Sequence, residues 1–319
     1  MMTMPRKPPQ RFENLRALDP SDSKTLDTLR AALQSATGPV IATAARIIEE
    51  NRLDGAVPDL GPAFERLCTE GAKRDPSCRG KLAIAHALHA LDYWEDAVFV
   101  GGLTYAQKEG WGAEDTAGEL RGICGIAHAH FAREDALDVL AGLLADPHRA
   151  ARVAAARGIG DSGRRDATAM LRLKLLIGDD EPAVLSACIE SLFALSRDDS
   201  YPFVVALLSG DNELAEVAAL ALGGSRIAAA FDELSRWCIG CKPEQRHRVG
   251  YLALALLRTD VANDYLLDAI RSHGAADAIA AARALATFKE DVTTAERVLA
   301  AAEEQKLPAA RDEIIALFR

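Results

Sequence analysis

The strongest constraint on the fold is a helical pattern that restarts at intervals of about 30 residues. The restarts lie at Asp146-Pro147, Glu181-Pro182, Asp211-Asn212, Lys242-Pro243 and Gly274. Between them, apolar side chains recur three or four residues apart, which is the spacing of one helix face. The pattern therefore predicts an all-α fold built from stacked antiparallel pairs of helices.

The composition supports helices that pack closely side by side. Apolar residues make up 49% of the chain but aromatic residues only 5%, so most of the apolar share is alanine and leucine. Both residues are strong helix formers, and alanine allows neighbouring helices to approach. No segment shows the alternation of a strand, and Phe203-Val204-Val205 falls inside a helical pattern.

Two segments carry the repeat most clearly. Residues 40–60 read VIATAARIIEENRLDGAVPDL, and residues 151–163 read ARVAAARGIGDSG. Both resemble the HEAT-like repeats of phycobilin lyases, V-R-x-x-A-A-x-A-L-G-x-L-G-D followed by A-V-P-x-L. The resemblance implies a right-handed α-solenoid of about eight HEAT-like antiparallel helix pairs.

The domain organisation is predicted from the part of the chain in which the repeat spacing is regular. Residues 1–22, which contain prolines and basic residues, are predicted to be a flexible N-terminal segment. Residues 23–319 are predicted to form a single HEAT-like repeat domain. Within it, an irregular unit rich in aromatic residues and glycine is expected at about 76–145, with regular repeats at about 146–319.

The net charge and the cysteine content indicate which classes of partner and which cellular compartment suit this protein. The formal net charge is −10 and the isoelectric point is about 5.3, which argues against nucleic acid and favours basic or neutral partners. The apolar stretches are too short for a membrane helix, and the N-terminus lacks the apolar core of a secretory signal. Six dispersed cysteines in a chain with a large core indicate a reducing compartment, so we predict a cytoplasmic protein.

The segment from Tyr93 to Gly118 departs most from the repeat. It holds five aromatic residues and five glycines, with acidic residues between them. Insertions in repeats often carry the binding face, and aromatic side chains dominate interfaces. We therefore predict a binding surface whose members are Tyr93, Trp94, Tyr105, Trp111, His89 and His128. The alternative is that these rings fill the core of a longer, irregular repeat.

Histidines on neighbouring helices raise the question of a metal. Aligning the repeats places His89 and His128 at similar positions, and Cys124 lies four residues before His128. The weak candidates for metal ligands are His86, His89, Cys124 and His128. Because histidines on helices also form ordinary hydrogen bonds at a seam, we predict no metal site and no cofactor.

A W-C-x-x-C-K sequence at residues 237–242 resembles a thioredoxin-type redox motif. Redox function requires the first thiolate at the N-terminus of a helix. Gly240 and Pro243 instead mark the end of one helix and the start of the next. Cys238 is therefore predicted at a helix C-terminus, without redox function.

These observations favour a protein- or peptide-binding scaffold without catalytic residues, with its partner on the inner face formed by the second helix of each pair. The alternative is an enzyme or cofactor-binding protein with a site around residues 86–130, similar to bilin lyases, to metal-dependent enzymes or to HEAT-type DNA glycosylases. Deoxyhypusine hydroxylases bind iron through His-Glu pairs, and the sequence contains no His-Glu dipeptide.

Overall fold

The computed structural model describes residues 15–35, 37–210 and 212–318. The described residues fall into two compact units, one within residues 1–171 and the other within residues 172–319. In both, helices are the dominant structure, so the predicted all-α class is confirmed. None of the described helices is both long enough and apolar enough to cross a membrane. The predicted domain boundaries stay predictions, and residues 1–14 of the expected N-terminal segment lie outside the described residues.

The first unit is a two-layered stack of helices. Its elements are α1 (Ser23–Leu33), α2 (Gly38–Glu50), α3 (Leu60–Glu70), α4 (Arg79–Ala90), α5 (Asp96–Leu103), α6 (Gly118–His130), α7 (Ala136–Leu143) and α8 (Arg149–Asp161). Helices α2, α4, α6 and α8 lie side by side in one layer. Helices α3, α5 and α7 pack against this layer, so each repeat contributes one helix to each side.

Small residues allow the close approach of α2 and α4. Ala44 and Ala45, the alanine pair of the repeat motif, are fully buried. A Cβ atom added to Gly80 would lie 3.1 Å from Cα of Gly38 and 2.6 Å from Cδ1 of Leu67. Because such distances are below normal van der Waals contact, the backbones can meet here only without a side chain on Gly80.

The second unit continues the same rhythm. Helix α9 (Thr168–Ile177) spans the boundary, and the helices after it are α10 (Pro182–Leu207), α11 (Glu213–Gly224), α12 (Ala230–Gly240), α13 (Pro243–Gln245), α14 (Tyr251–Leu257), α15 (Asp260–Ser272), α16 (Ala275–Ala286), α17 (Val292–Glu304) and α18 (Pro308–Leu317). Ser196 interrupts α10 with non-helical backbone angles, so α10 supplies both helices of its pair. A turn of π-helix, Arg246–Gly250, joins α13 to α14.

The predicted restarts coincide with helix starts in this unit. Pro182 and Pro243 occupy the first helical turn, where a missing N–H costs no hydrogen bond. Asn212 caps α11, its side chain accepting a hydrogen bond from the backbone N of Ala215 at 3.1 Å. Gly274 directly precedes α16.

One feature was not expected from the helical pattern. Two short strands, β1 (Lys108–Glu109) and β2 (Glu114–Asp115), pair antiparallel between α5 and α6. They form a hairpin inside the irregular unit. The sequence pattern predicted no strand, and that prediction was wrong here because two-residue strands are too short to show alternation.

Candidate functional site

The hairpin of residues 107–116 presents a single tryptophan at its tip. Lys108 pairs with Asp115, and Glu109 pairs with Glu114. Gly110 and Ala113 adopt positive φ angles of 70° and 50°, which close the turn between the strands. Trp111 lies in this turn, and its relative exposure of 109% means that the whole indole faces solvent.

A carboxylate fixes the base of the hairpin. Oε1 of Glu109 accepts hydrogen bonds from the backbone N of Ser77, from Oγ1 of Thr116 and from Nε2 of Gln107, each 2.7 Å long. Partial burial raises the pKa of Glu109, but the hydrogen bonds from Thr116, Gln107 and Ser77 together hold it below its ordinary value. The carboxylate therefore stays ionised and ties β1 to the segment that precedes α4.

An arginine fixes the second strand. The guanidinium of Arg121 donates to both carboxylate oxygens of Asp146, at 2.7 and 2.9 Å, and lies 2.7 Å from Oδ2 of Asp115. The other oxygen of Asp115 accepts from the backbone N of Gln107 and of Ala117. Paired hydrogen bonds between a guanidinium and a carboxylate fix both the distance between the two groups and their relative orientation. The base of the hairpin is thus anchored to α6 and to the loop before α8.

Tyr105 belongs to this anchor and not to an exposed surface. Its hydroxyl donates to Oε1 of Gln107 at 3.0 Å, and Nζ of Lys81 lies 5.0 Å from the centre of its ring. Burial raises the pKa of Tyr105. The amide of Gln107 in turn donates to the backbone oxygen of Asp75 at 2.8 Å. Tyr105 and Gln107 therefore connect the base of the hairpin to the segment that precedes α4.

Trp94 and His128 meet in a separate group of rings between α5 and α6. The Trp94 ring centre lies 4.9 Å from that of His128, 5.1 Å from that of Phe99 and 5.5 Å from that of Phe131. The indole N–H of Trp94 donates to Oδ1 of Asp96 at 2.6 Å. Phe99 is fully buried and His128 almost so. This ring cluster packs α5 against α6.

Cys124 and His128 do not converge on an open coordination position. Nδ1 of His128 donates to the backbone oxygen of Cys124 at 2.8 Å, and the buried Cys124 thiol donates to the backbone oxygen of Val98 at 3.5 Å. Burial raises the pKa of Cys124 and disfavours the thiolate that a metal requires. Within the described residues, no cluster of three or more His, Cys, Asp or Glu side chains is arranged to hold a metal ion.

His89 lies at the seam between the C-terminal ends of α4 and α6. Its ring meets the ring of His130 edge-on, with centres 4.7 Å apart, and Nε2 of His130 lies 2.8 Å from Oδ1 of Asp92. Nδ1 of His89 is buried and has no hydrogen-bond partner among the described residues. Burial, followed by the charges of His130 and His86, lowers the pKa of His89. The fold therefore favours the neutral form of the His89 imidazole over the protonated form.

Cys238 and Cys241 lie where the sequence analysis placed them. Helix α12 ends at Gly240, and the guanidinium of Arg246 donates to three carbonyl oxygens at this end, those of Cys238, Ile239 and Cys241. Cys238 is fully buried, and burial raises the pKa of its thiol to about 12. A buried thiol at the negative end of a helix is a poor nucleophile.

Comparison with known proteins supports the repeat architecture. Residues 136–223 match the family model for HEAT repeats. These residues are similar to HEAT repeats. One solved structure, the complex of CpcE and CpcF of phycocyanin lyase from Nostoc sp. PCC7120, is similar to the chain at 15% identity. The alignment covers 99% of each chain with a TM-score of 0.35. No curated protein matches the sequence.

The hairpin lies outside the matched HEAT segment and was not identified from the sequence. Of the residues that anchor it, Glu109 and Asp115 belong to the acidic residues of the aromatic segment, without a predicted anchoring role, and Arg121 was not predicted to take part. The available signal was Gly110-Trp111-Gly112, an aromatic residue between two residues that favour turns. Of the predicted binding residues, Tyr93 and Trp111 are exposed, Trp94 and His128 join the ring cluster, His89 lies at the histidine seam and Tyr105 lies under the hairpin.

Proposed function

We propose that this chain is a protein-binding scaffold and that the hairpin of residues 107–116 inserts Trp111 into an apolar pocket of its partner. The observation that carries the proposal is the full exposure of Trp111 on a hairpin whose base is held by ion pairs and hydrogen bonds. An exposed tryptophan loses contact with water only on binding. Because the indole is fully exposed, we expect it to contribute little to the stability of the fold.

The rigidity of the hairpin base favours binding. A side chain on a mobile loop must be ordered when it binds, and the lost conformational entropy weakens the complex. The contacts of Glu109 and Arg121 fix the hairpin before a partner arrives. Tryptophan adds a large contact area for few rotatable bonds, which is why it is enriched among the residues that dominate interfaces.

The charge of the chain indicates the kind of partner. With a net charge of −10, the protein attracts basic partners and repels acidic ones at moderate ionic strength. Near the tip, Glu114 and Glu119 are exposed on the side of β2 and α6. A partner with an apolar pocket and basic residues at its rim would fit these features.

The test compares Trp111→Ala with the unchanged protein as immobilised bait for an extract of the source cells, followed by calorimetry with the purified partner. The expected result is a partner retained by the unchanged protein and lost by the variant, with Kd increased by about 30-fold or more, equivalent to about 2 kcal/mol. The melting temperature should stay the same.

The matched control is Ile239→Ala, which removes another large exposed apolar side chain from the second unit. It should leave both retention and Kd unchanged. Retention that is equal for Trp111→Ala and the unchanged protein would exclude the hairpin as the binding site. A large fall in melting temperature for Trp111→Ala would show instead that the indole stabilises the fold.

A further inference from the structure

A cavity of about 530 Å³ lies in the first unit, between the segment of residues 15–20 and helix α2. This volume is within the range of sites that bind small molecules, about 300–1,000 Å³. The cavity is remote in sequence from the hairpin, and none of its lining residues belongs to the hairpin or the ring cluster. The cavity is therefore separate from both of these features.

Both walls of the cavity are well anchored. On α2, the lining residues Thr43, Arg46, Ile47 and Glu50 follow the spacing of one helix face, and this face lines the cavity. The opposite face of α2, which includes Ile48, is fully buried in the core. Across from α2, Leu15 is only 4% exposed and packs into the same core, which holds the other wall in place.

The chemistry of the lining is amphipathic. Leu15, Leu18 and Ile47 supply an apolar surface. Arg16 on one wall and Arg46 on the other supply two guanidinium groups, while Glu50 is the single acidic side chain of the lining. The lining of the cavity therefore carries one more positive than negative side chain, in a chain with a net charge of −10.

The two arginines are available to a ligand. No carboxylate within the described residues forms an ion pair with Arg16 or Arg46. Both residues line the cavity and are exposed to solvent. Guanidinium groups bind carboxylates and phosphates through paired hydrogen bonds, and these bonds are stronger than those between neutral groups.

We propose that this cavity binds a small organic anion with an apolar body. The carboxylate or phosphate group of the ligand lies between Arg16 and Arg46, and its apolar part contacts Leu15, Leu18 and Ile47. The site is independent of the partner surface at Trp111, so either proposal can fail without the other.

The experiment measures binding of two fluorescent probes to the full chain. One is 8-anilinonaphthalene-1-sulfonate, whose sulfonate stands in for the carboxylate or phosphate. The other is N-phenyl-1-naphthylamine, which has a similar apolar body without charge. The expected result is saturable binding of one sulfonate probe per chain. Arg46→Gln and Arg16→Gln should each weaken it by about tenfold or more while changing the affinity of the neutral probe by less than about twofold.

Competition then distinguishes the two chemical classes of ligand. Displacement of the sulfonate probe by phenyl phosphate at lower concentration than by 3-phenylpropionate would assign a phosphate, and the reverse order a carboxylate. The control variant is Arg79→Gln, which removes an exposed arginine of α4 outside the cavity and should leave all affinities unchanged.

Three outcomes would overturn the proposal. The full chain could show no saturable binding of the sulfonate probe. Arg79→Gln could weaken binding as much as Arg46→Gln, which would indicate a general effect of net charge. The arginine variants could weaken both probes equally, which would indicate a loss of structure rather than of anion recognition.

Discussion

Nζ of Lys81 lies 3.0 Å from Oδ2 of Asp75, and neither side chain is exposed to solvent. The Asp75 carboxylate also accepts hydrogen bonds from the backbone N of Gly80 at 2.7 Å and of Lys81 at 3.0 Å. It thereby satisfies two of the N–H groups at the start of α4. The backbone oxygen of Asp75 receives the amide of Gln107, so this buried ion pair links the start of α4 to the base of the hairpin.

Breaking this pair on one side should destabilise the first unit. Asp75→Asn leaves the Lys81 ammonium buried without a counter-charge and is expected to cost about 3–5 kcal/mol of unfolding free energy. Lys81→Met should cost less, because two backbone N–H groups still stabilise the Asp75 carboxylate. Urea unfolding of the single and double variants measures the coupling. A double variant whose loss equals the sum of the two single losses would contradict a coupled pair.

Glu109→Gln should loosen the hairpin without unfolding the protein. The neutral amide accepts hydrogen bonds more weakly than the carboxylate. We therefore expect faster hydrogen exchange at residues 107–117 and a loss of about 1–3 kcal/mol in the free energy of unfolding.

The effect of this substitution should depend on pH. Because the pKa of Glu109 is lowered in the fold, the stability that Glu109 contributes is present above the ordinary glutamate pKa of about 4.3 and is lost as the pH falls through the lowered value. The difference between variant and unchanged protein should therefore vanish in acid.

Glu114→Gln is the matched control for that variant. Glu114 lies opposite Glu109 in the hairpin, but its side chain is exposed. Hydrogen exchange and unfolding free energy should be unchanged in this variant. An equal effect of the two substitutions would show that the net charge of the hairpin, and not the contacts of Glu109, determines its order.

Mild acid should weaken the seam between α4 and α6 through His89. Its pKa is lowered in the fold, so the unfolded chain takes up a proton more readily, and stability falls as the pH drops below the ordinary histidine pKa of about 6.5. His89→Gln should remove this part of the pH dependence. Thermal melts between pH 8 and pH 5, with about one-unit steps, measure it. A steeper loss of stability in the variant than in the unchanged protein would contradict the assignment.

The thiols should react slowly in the native protein. Five of the six cysteines are buried, and Cys68 is partly buried, with its thiol pKa raised by burial to about 11. We expect Ellman's reagent to modify at most one thiol before unfolding, and the variant Cys68→Ala to modify none on the same timescale. Rapid modification of Cys238 would show that the end of α12 opens and that the redox motif deserves a second test.

The sequence determined where the helices begin, because the residues that start a helix act on their near neighbours in the chain. A proline in the first turn, as at Pro182 and Pro243, and a capping side chain, as at Asn212, act on residues within one helical turn. Small side chains at Ala44 and Ala45 likewise allow a neighbouring helix to approach closely, whatever the sequence of that helix. Such features can be read along the chain without knowledge of the partner helix.

The candidate site depends on contacts between residues that are distant in sequence. Ser77 and Glu109 are 32 residues apart, and Arg121 and Asp146 are 25 apart, yet these two contacts anchor the hairpin. The same aromatic segment places Trp94 in a ring cluster and Trp111 in solvent, although both are tryptophans in a helix-poor stretch. Local sequence determined that the segment would be irregular. Only the tertiary structure decided which indole packs against other rings and which faces solvent, because packing depends on the helices that fold back against the segment.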